Sequence, residues 1–229
     1  MAMIRALALS IAQLRDPVHR GVLMRALLLT VLLLAGLWWG MLTLLARLDT
    51  AGWPGWLARA WADGGATLGA LIVLPLLIPL FAAVATGLAE LWLDDVIGAV
   101  EAVHYPGAAA RPVGWATNLR LGLGATLRLL AWNAVALPAY LLLLVTGVGT
   151  LLLFIALNGW LLGRAYLEMV AVRHLDAGTV GPWIGAHPRI RWQVGLVAAT
   201  LFAVPVVNLV APLIGVSLAT HLFHRRRLP

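Results

Sequence analysis

A chain of 229 residues that is 62% hydrophobic and only 11% charged, with a mean hydropathy of +0.96, is too apolar for a soluble fold, whose surface needs far more polarity. The formal net charge of +7 comes entirely from Arg among the basic residues. These Arg cluster beside apolar runs, where they set orientation and meet anionic headgroups, which excludes nucleic acid as the partner. The absence of cysteine removes disulfides, thiolate catalysis, iron–sulfur clusters and Cys-ligated zinc.

In chain order, residues 1–15 place Ile4, Leu7, Ile11 and Leu14 at helical spacing between Arg5 and Arg15, an amphipathic helix suited to the membrane interface. Asp16-Pro17 marks a helix start, and a first transmembrane helix is predicted over 21–46, with Arg25 close enough to its end to snorkel. The apolar run before Ala58-Arg59-Ala60 is too long, and ends too early, for a cleaved signal, so it reads as a retained anchor. Trp53, Trp56 and Trp61 give the following loop an interfacial aromatic belt. A second transmembrane helix is predicted over 66–92, kinked by Pro75 and Pro79.

Residues 93–107 extend that helix out of the bilayer with Asp94, Asp95, Glu101 and His104, and 115–128 form an amphipathic segment. From Leu129 to Gly163 no side chain is charged. One crossing of a hydrocarbon core roughly 30 Å thick takes about 20 residues, so this stretch is too long for one helix and short for two. A hairpin over 129–172 is predicted, turning near Thr146–Thr150. The last apolar stretch, 194–222, is interrupted between Pro205 and Pro212, which predicts a second hairpin whose arms are too short to cross.

The predicted fold is an all-α integral membrane protein, one domain over 1–229, with two long transmembrane helices, two intramembrane hairpins (re-entrant or half-penetrating) and amphipathic interfacial helices. Grouped by segment, every Arg except Arg47 and Arg59 falls on one side if each hairpin returns to the side it left, so both termini are expected in the cytoplasm. Irregular backbone at membrane depth must be shielded by protein or water, which implies an internal cavity or a homo-oligomer.

Arg20, Gly21 and Arg25 stand at a helix start, where unpaired N–H groups, the positive helix end and planar guanidinium donors favour an oxyanion. Anchoring to lipid is the alternative role. Arg120 and Arg128 share a face with Gly124 and either line an anion vestibule or anchor the helix. Glu101 and His104 lie one turn apart and offer a proton relay; the alternative is a solvated helix extension paired with nearby Arg. No second His completes a compact ligand set beside them in the sequence, so no metal site is expected. Asn158 and Asn208 need hydrogen-bond partners inside apolar hairpins and, with Pro205 and Pro212, are expected to be structural pins bonded to backbone freed by neighbouring Gly or Pro. Arg164 is expected to pair with Glu168 and with a tertiary partner as well. His221 and His224 read as interfacial. No P-loop, zincin helix or nucleophile elbow is present, so no catalytic residue, cofactor or enzyme activity is expected.

The segments Leu93–Gly107, Leu157–Leu175 and Val204–Arg225, with Pro205, Asn208 and Pro212 beside Asn158-Gly159 and Gly163-Arg164, resemble the CysZ-type sulfate permease family, which shares a domain with eukaryotic etoposide-induced membrane proteins. The resemblance implies an oligomeric, multi-pass protein of the bacterial inner membrane that takes up sulfate for cysteine synthesis. At the start of the first long helix that family carries a Gly-Leu-Arg type segment associated with anion binding; this chain has Arg20-Gly21-Val22-Leu23-Met24-Arg25. The expected partners are a small inorganic anion and membrane lipid. A non-transporting scaffold of the same domain family is the other class of function.

Overall fold

The computed structural model describes residues 2–47, 52–65, 80–108, 110–111 and 113–227, and among these the chain is helical with no strand. In order the described helices are α1 (Ala2–Ala12), α2 (Pro17–Ala46), α3 (Gly55–Ala60), α4 (Leu80–Glu90), α5 (Leu93–His104), α6 (Trp115–Leu143), α7 (Gly149–Ala171), α8 (Ala177–Ala186), α9 (Pro188–Phe202) and α10 (Ala211–Arg227). By length and composition α2, α6 and α7 are long and apolar enough to cross a membrane. The protein is an all-α membrane protein. Of the helix expected over 66–92, the part holding Pro75 and Pro79 lies outside the described residues; the part within them is α4, which ends in a turn at Leu91–Trp92 before α5 begins.

Local signals explain the boundaries. The Asp16 carboxylate accepts the Val18 N–H at 2.8 Å and Pro17 takes the first helical position, so α2 starts on a side-chain cap. The segment 115–128 and the first arm of the uncharged stretch form one helix, α6, because nothing between them breaks the periodicity. α6 and α7 meet in a turn where Gly147 has φ 73° and the Thr146 hydroxyl accepts the Gly149 N–H at 2.8 Å. The α9–α10 turn contains Val206 at φ 69°, a left-handed conformation rare for a β-branched residue. Pro212 sits in the first turn of α10, the place a helix tolerates proline.

The core is built around α10, which is buried on every side from Ala211 to His224 and touches α1, α5, α7 and α9. A helix enclosed all round needs small neighbours. The ring of Tyr166 lies over Gly215, and α1 turns its small residues Ala6 and Ser10 inward while Ile4 and Ile11 of the expected apolar stripe are exposed. The broadest contact joins α7 and α9. There the Gly159 carbonyl occupies the place a Cβ on Gly195 would take, and the Arg191 carbonyl the place of a Cβ on Gly163. Such close backbone approach is how small residues pack helices where lipid supplies no hydrophobic drive. The Arg191 guanidinium lies 3.2 Å from the Trp160 ring centre and its Nε donates to the Trp160 carbonyl at 2.9 Å, locking the same crossing.

Replacing Gly195 by Ala forces α7 and α9 apart. It is expected to destabilise the folded protein by about 1–3 kcal/mol, read as a lower midpoint of thermal unfolding in detergent. Gly178→Ala in α8, where a Cβ meets nothing within 4 Å, is expected to leave that midpoint unchanged or slightly raised.

Candidate functional site

Two polar sites stand out among the described residues. The first grows from α5. Its inward stripe runs Leu93, Val96, Ile97, Val100 and Glu101, the i, i+3, i+4, i+7, i+8 pattern of one helix face, so a carboxylate is carried into the core at the end of an apolar row. Glu101 is 5% exposed. His174, just past the end of α7, donates from Nε2 to its Oε1 at 2.7 Å, and His224 of α10 does the same at 3.0 Å. Arg173 places Nε 3.4 Å from the other oxygen and sends Nη1 to Asp94 at 2.5 Å. Burial raises the Glu101 carboxyl, but the two imidazole hydrogen bonds and the Arg173 charge outweigh it and hold the group at about 2.

Beside this cluster His221 accepts from the Tyr105 hydroxyl at Nδ1, 2.9 Å, and reaches Gln13 through Nε2 at 3.3 Å. Tyr105 also stacks on His224, with ring centres 4.4 Å apart and 23° between planes. His221 and His224, expected at the interface, are both buried because α10 is enclosed and each imidazole finds a partner on another element. Glu101 is likewise not on a solvated extension. His104 is exposed and does not reach Glu101; its ring lies edge-on to His221 at 5.0 Å.

The second site is a cavity of about 480 Å³ at the start of α2, lined by Pro17, Val18, Gly21, Val22 and Arg25 with Asp95 and Ala99 of α5. Arg25 and Asp95 stand 3.8 Å apart with side chains 61% and 54% exposed, a pair that solvent screens and an incoming anion can displace. Arg20 is exposed beside it. Arg120 and Arg128 lie elsewhere, on α6. Arg120 is exposed, whereas Arg128 reaches Glu168 of α7 with Nη1 and Nη2 at 3.3 and 3.2 Å. Arg164 Nε meets the same carboxylate at 2.6 Å, so Arg128 is the tertiary partner expected for that helix pair. Arg191 of α9 adds a third positive charge within electrostatic range of this one carboxylate.

Of the four hairpin residues, Asn158 is buried and tied to the Asn133 side chain, its Nδ2 also donating to the Phe154 carbonyl at 3.0 Å. Asn133 Oδ1 in turn accepts the Tyr140 hydroxyl at 3.0 Å. The partners are thus a second Asn, a tyrosine and a helix carbonyl rather than backbone freed by Gly159. Pro205 and Asn208 lie in the α9–α10 turn, where Asn208 Oδ1 is buried without a hydrogen-bond partner among the described residues. No local pattern in the sequence marks Asn133 as the partner of Asn158, or Arg173 and His174 as partners of Glu101. The signal for Glu101 was its place on the apolar stripe of α5.

The family model for sulfate transporter CysZ/etoposide-induced protein 2.4 matches residues 6–212. No curated protein matches the chain.

Because the Glu101 carboxyl is held below its ordinary 4.5, the stability it contributes is complete above that pH and is lost as pH falls toward 2. Glu101→Gln removes the acceptor charge and leaves Arg173 facing a neutral group. It is expected to cost about 3–5 kcal/mol, the range for breaking a buried pair, and to flatten acid unfolding between pH 4.5 and 2, both followed by circular dichroism in detergent.

Proposed function

Since the chain belongs to the sulfate transporter CysZ/etoposide-induced protein 2.4 family, we propose that it passes a small oxyanion, sulfate, across the bacterial inner membrane into the cytoplasm for sulfur assimilation. The match over residues 6–212 is the observation that carries this reading. The protein acts as a transport protein and not as an enzyme. Both termini face the cytoplasm, as the Arg distribution favours. The whole chain forms one membrane domain in a homo-oligomer.

The anion meets Gly21 and Arg25 in the cavity at the start of α2, with Arg20 beside it, and exchanges its water for guanidinium donors. Asp95 is the internal competitor for Arg25, which keeps binding weak enough for release. Arg128, with Arg164 and Arg191 around Glu168, supplies a further positive locus at the base of the first hairpin, where three guanidinium groups answer one carboxylate. Arg120 adds positive charge on the exposed face of α6. Glu101 serves the Glu101–His174–His224 cluster and, with His104 turned away, is not arranged to hand a proton to that residue.

The hairpins half-penetrate. α6 and α7 as whole helices are long enough to cross, but their uncharged parts between the ion pairs at Arg128 and Arg164 and the turn, 129–143 and 149–163, are each about 22 Å long at 1.5 Å per residue, short of a core roughly 30 Å thick. α9 reaches a similar length and ends at the Val206 turn. Asn208 Oδ1 in that turn is buried by the chain itself, so protein shields part of the irregular segment, as membrane depth requires.

A scaffold role is favoured by one feature: Arg25 and Arg128 already face carboxylates of the same chain. Radiolabelled sulfate uptake into liposomes separates the two readings. Saturable uptake is expected for the wild type. The Arg20→Ala, Arg25→Ala double variant should raise KM about tenfold or more, the loss of one or two charge-assisted hydrogen bonds. Asp95→Asn should lower KM by freeing Arg25. Folded wild-type protein that passes neither sulfate nor other oxyanions sinks the transport reading in favour of the scaffold.

A further inference from the structure

We propose that Glu101, His174 and His224 form a binding site for one divalent transition-metal cation of the zinc type, clamping α5, the end of α7 and α10 together. Three observations carry it. The first is chemistry: two imidazoles and a carboxylate are a standard ligand set for such a cation, and these residues are the one group among those described whose ligand atoms all lie within 4.8 Å of one another. The second is geometry. His174 Nε2 and His224 Nε2 lie 2.7 and 3.0 Å from Glu101 Oε1. A tetrahedral site with bonds of 2.0–2.1 Å has edges of about 3.3 Å, so the imidazoles must draw back from Oε1 by roughly 0.3–0.6 Å, while the two Nε2 atoms, within 4.8 Å of each other, settle at the same spacing.

The third is electrostatics and support. Arg173 is the nearest competing cation, but Asp94 pairs with it at 2.5 Å, so the Glu101 charge is not cancelled by an unshared guanidinium. Tyr105 stacked on His224, and Phe223 5.5 Å from His174, hold the imidazoles in place, the rigid surroundings that ordered metal ligands need. All three ligands are buried and come from separate elements, so the donor set exists only in the folded chain. Each imidazole binds through Nε2 with its proton on Nδ1, exchanging a hydrogen bond to Glu101 for a metal bond. The set leaves a fourth position for water.

The test uses the full-length protein, purified in detergent without a polyhistidine tag, stripped with chelator and titrated with zinc alone. Calorimetry should give one tight zinc per chain, and the midpoint of thermal unfolding should rise with zinc to a plateau and fall back with chelator. Cobalt in place of zinc should show the intense visible bands of a four-coordinate site, bleached by adding zinc. His174→Gln and His224→Gln should each weaken binding by more than the roughly 10–100-fold that loss of an outer partner costs, whereas His104→Ala and His187→Ala leave it unchanged. The proposal is overturned if folded wild type takes up no stoichiometric zinc, if cobalt gives only the weak spectrum of a solvated ion, or if binding survives in folded His174→Gln and His224→Gln. Because the wild-type spectrum and stoichiometry are decisive alone, a ligand variant that does not fold still leaves the proposal open to refutation.

Discussion

One buried carboxylate organises the meeting of α5, the end of α7 and α10. Glu101 occupies a position on α5 that its helix periodicity assigns to an apolar residue, and a lone carboxylate there would be far too costly to bury. The cost is met from outside the helix: His174 is 73 residues further along the chain and His224 is 123 residues away. Neither could reach Oε1 unless α7 ended beside α5 and α10 passed against both. The requirement to satisfy Glu101 therefore fixes the relative heights of three helices that lipid-facing apolar packing would leave free to slide. Arg173 extends the constraint, since its bond to Asp94 pins the first turn of α5 while its Nε faces the last.

The opposite requirement governs the α7–α9 crossing. There the helices approach so closely that Gly163 and Gly195 have no room for a side chain and Gly159 has little, and the energy comes from backbone contact rather than charge. Arg191 connects this region to the polar one at the hairpin base. Its side chain is spent on Trp160, while its charge adds to those of Arg128 and Arg164 around Glu168. Charge and close packing thus alternate along α7: the Asn158 network, the glycines, the Glu168 ion pairs and finally His174. An apolar arm bounded by two polar anchors cannot slip in depth without breaking one of them.

Much of this was legible in the sequence. The absence of charge from Leu129 to Gly163, the Asp16-Pro17 start and the Gly147 turn follow from local chemistry, and the structure has the helix starts and turn that such local rules govern. The all-helical membrane class followed from composition. The polar core did not, and the reason is physical: whether an ionisable residue is solvated or buried depends on what packs against it from distant sequence. Glu101 near His104 suggested a local pair, yet His104 at the helix end is exposed with its ring against His221, and the true partners of Glu101 come from α10 and the end of α7. His221 and His224 precede an Arg run and so looked interfacial, but composition could not show that α10 is surrounded. Asn158 was recognisable as a group in need of a partner, whereas Asn133 as that partner requires the hairpin register.

The polar residues of α10 explain how a helix can be both central and charged at its end. Ser217 meets His19 at 3.0 Å, Thr220 returns its hydroxyl to the Val216 carbonyl, His221 meets Tyr105, and His224 meets Glu101. Each lies about one turn or less beyond the previous one, so the polar contacts ascend toward Arg225 and Arg226 and the basic end sits at the helix terminus whose dipole favours cations. A purely apolar α10 would pack as well but would have no preferred depth or rotation among its neighbours. The graded polarity supplies both, because only one rotation and one height let every hydroxyl and imidazole find its partner at once. α5 then faces two ways from this fixed centre, with Glu101 turned to α10 and Asp95 turned to Arg25 across the cavity at the start of α2. One wall of the candidate anion site, Asp95 and Ala99 of α5, is thus set by the buried polar contacts, and the other by the start of α2, which His19 ties to Ser217 of the same central helix.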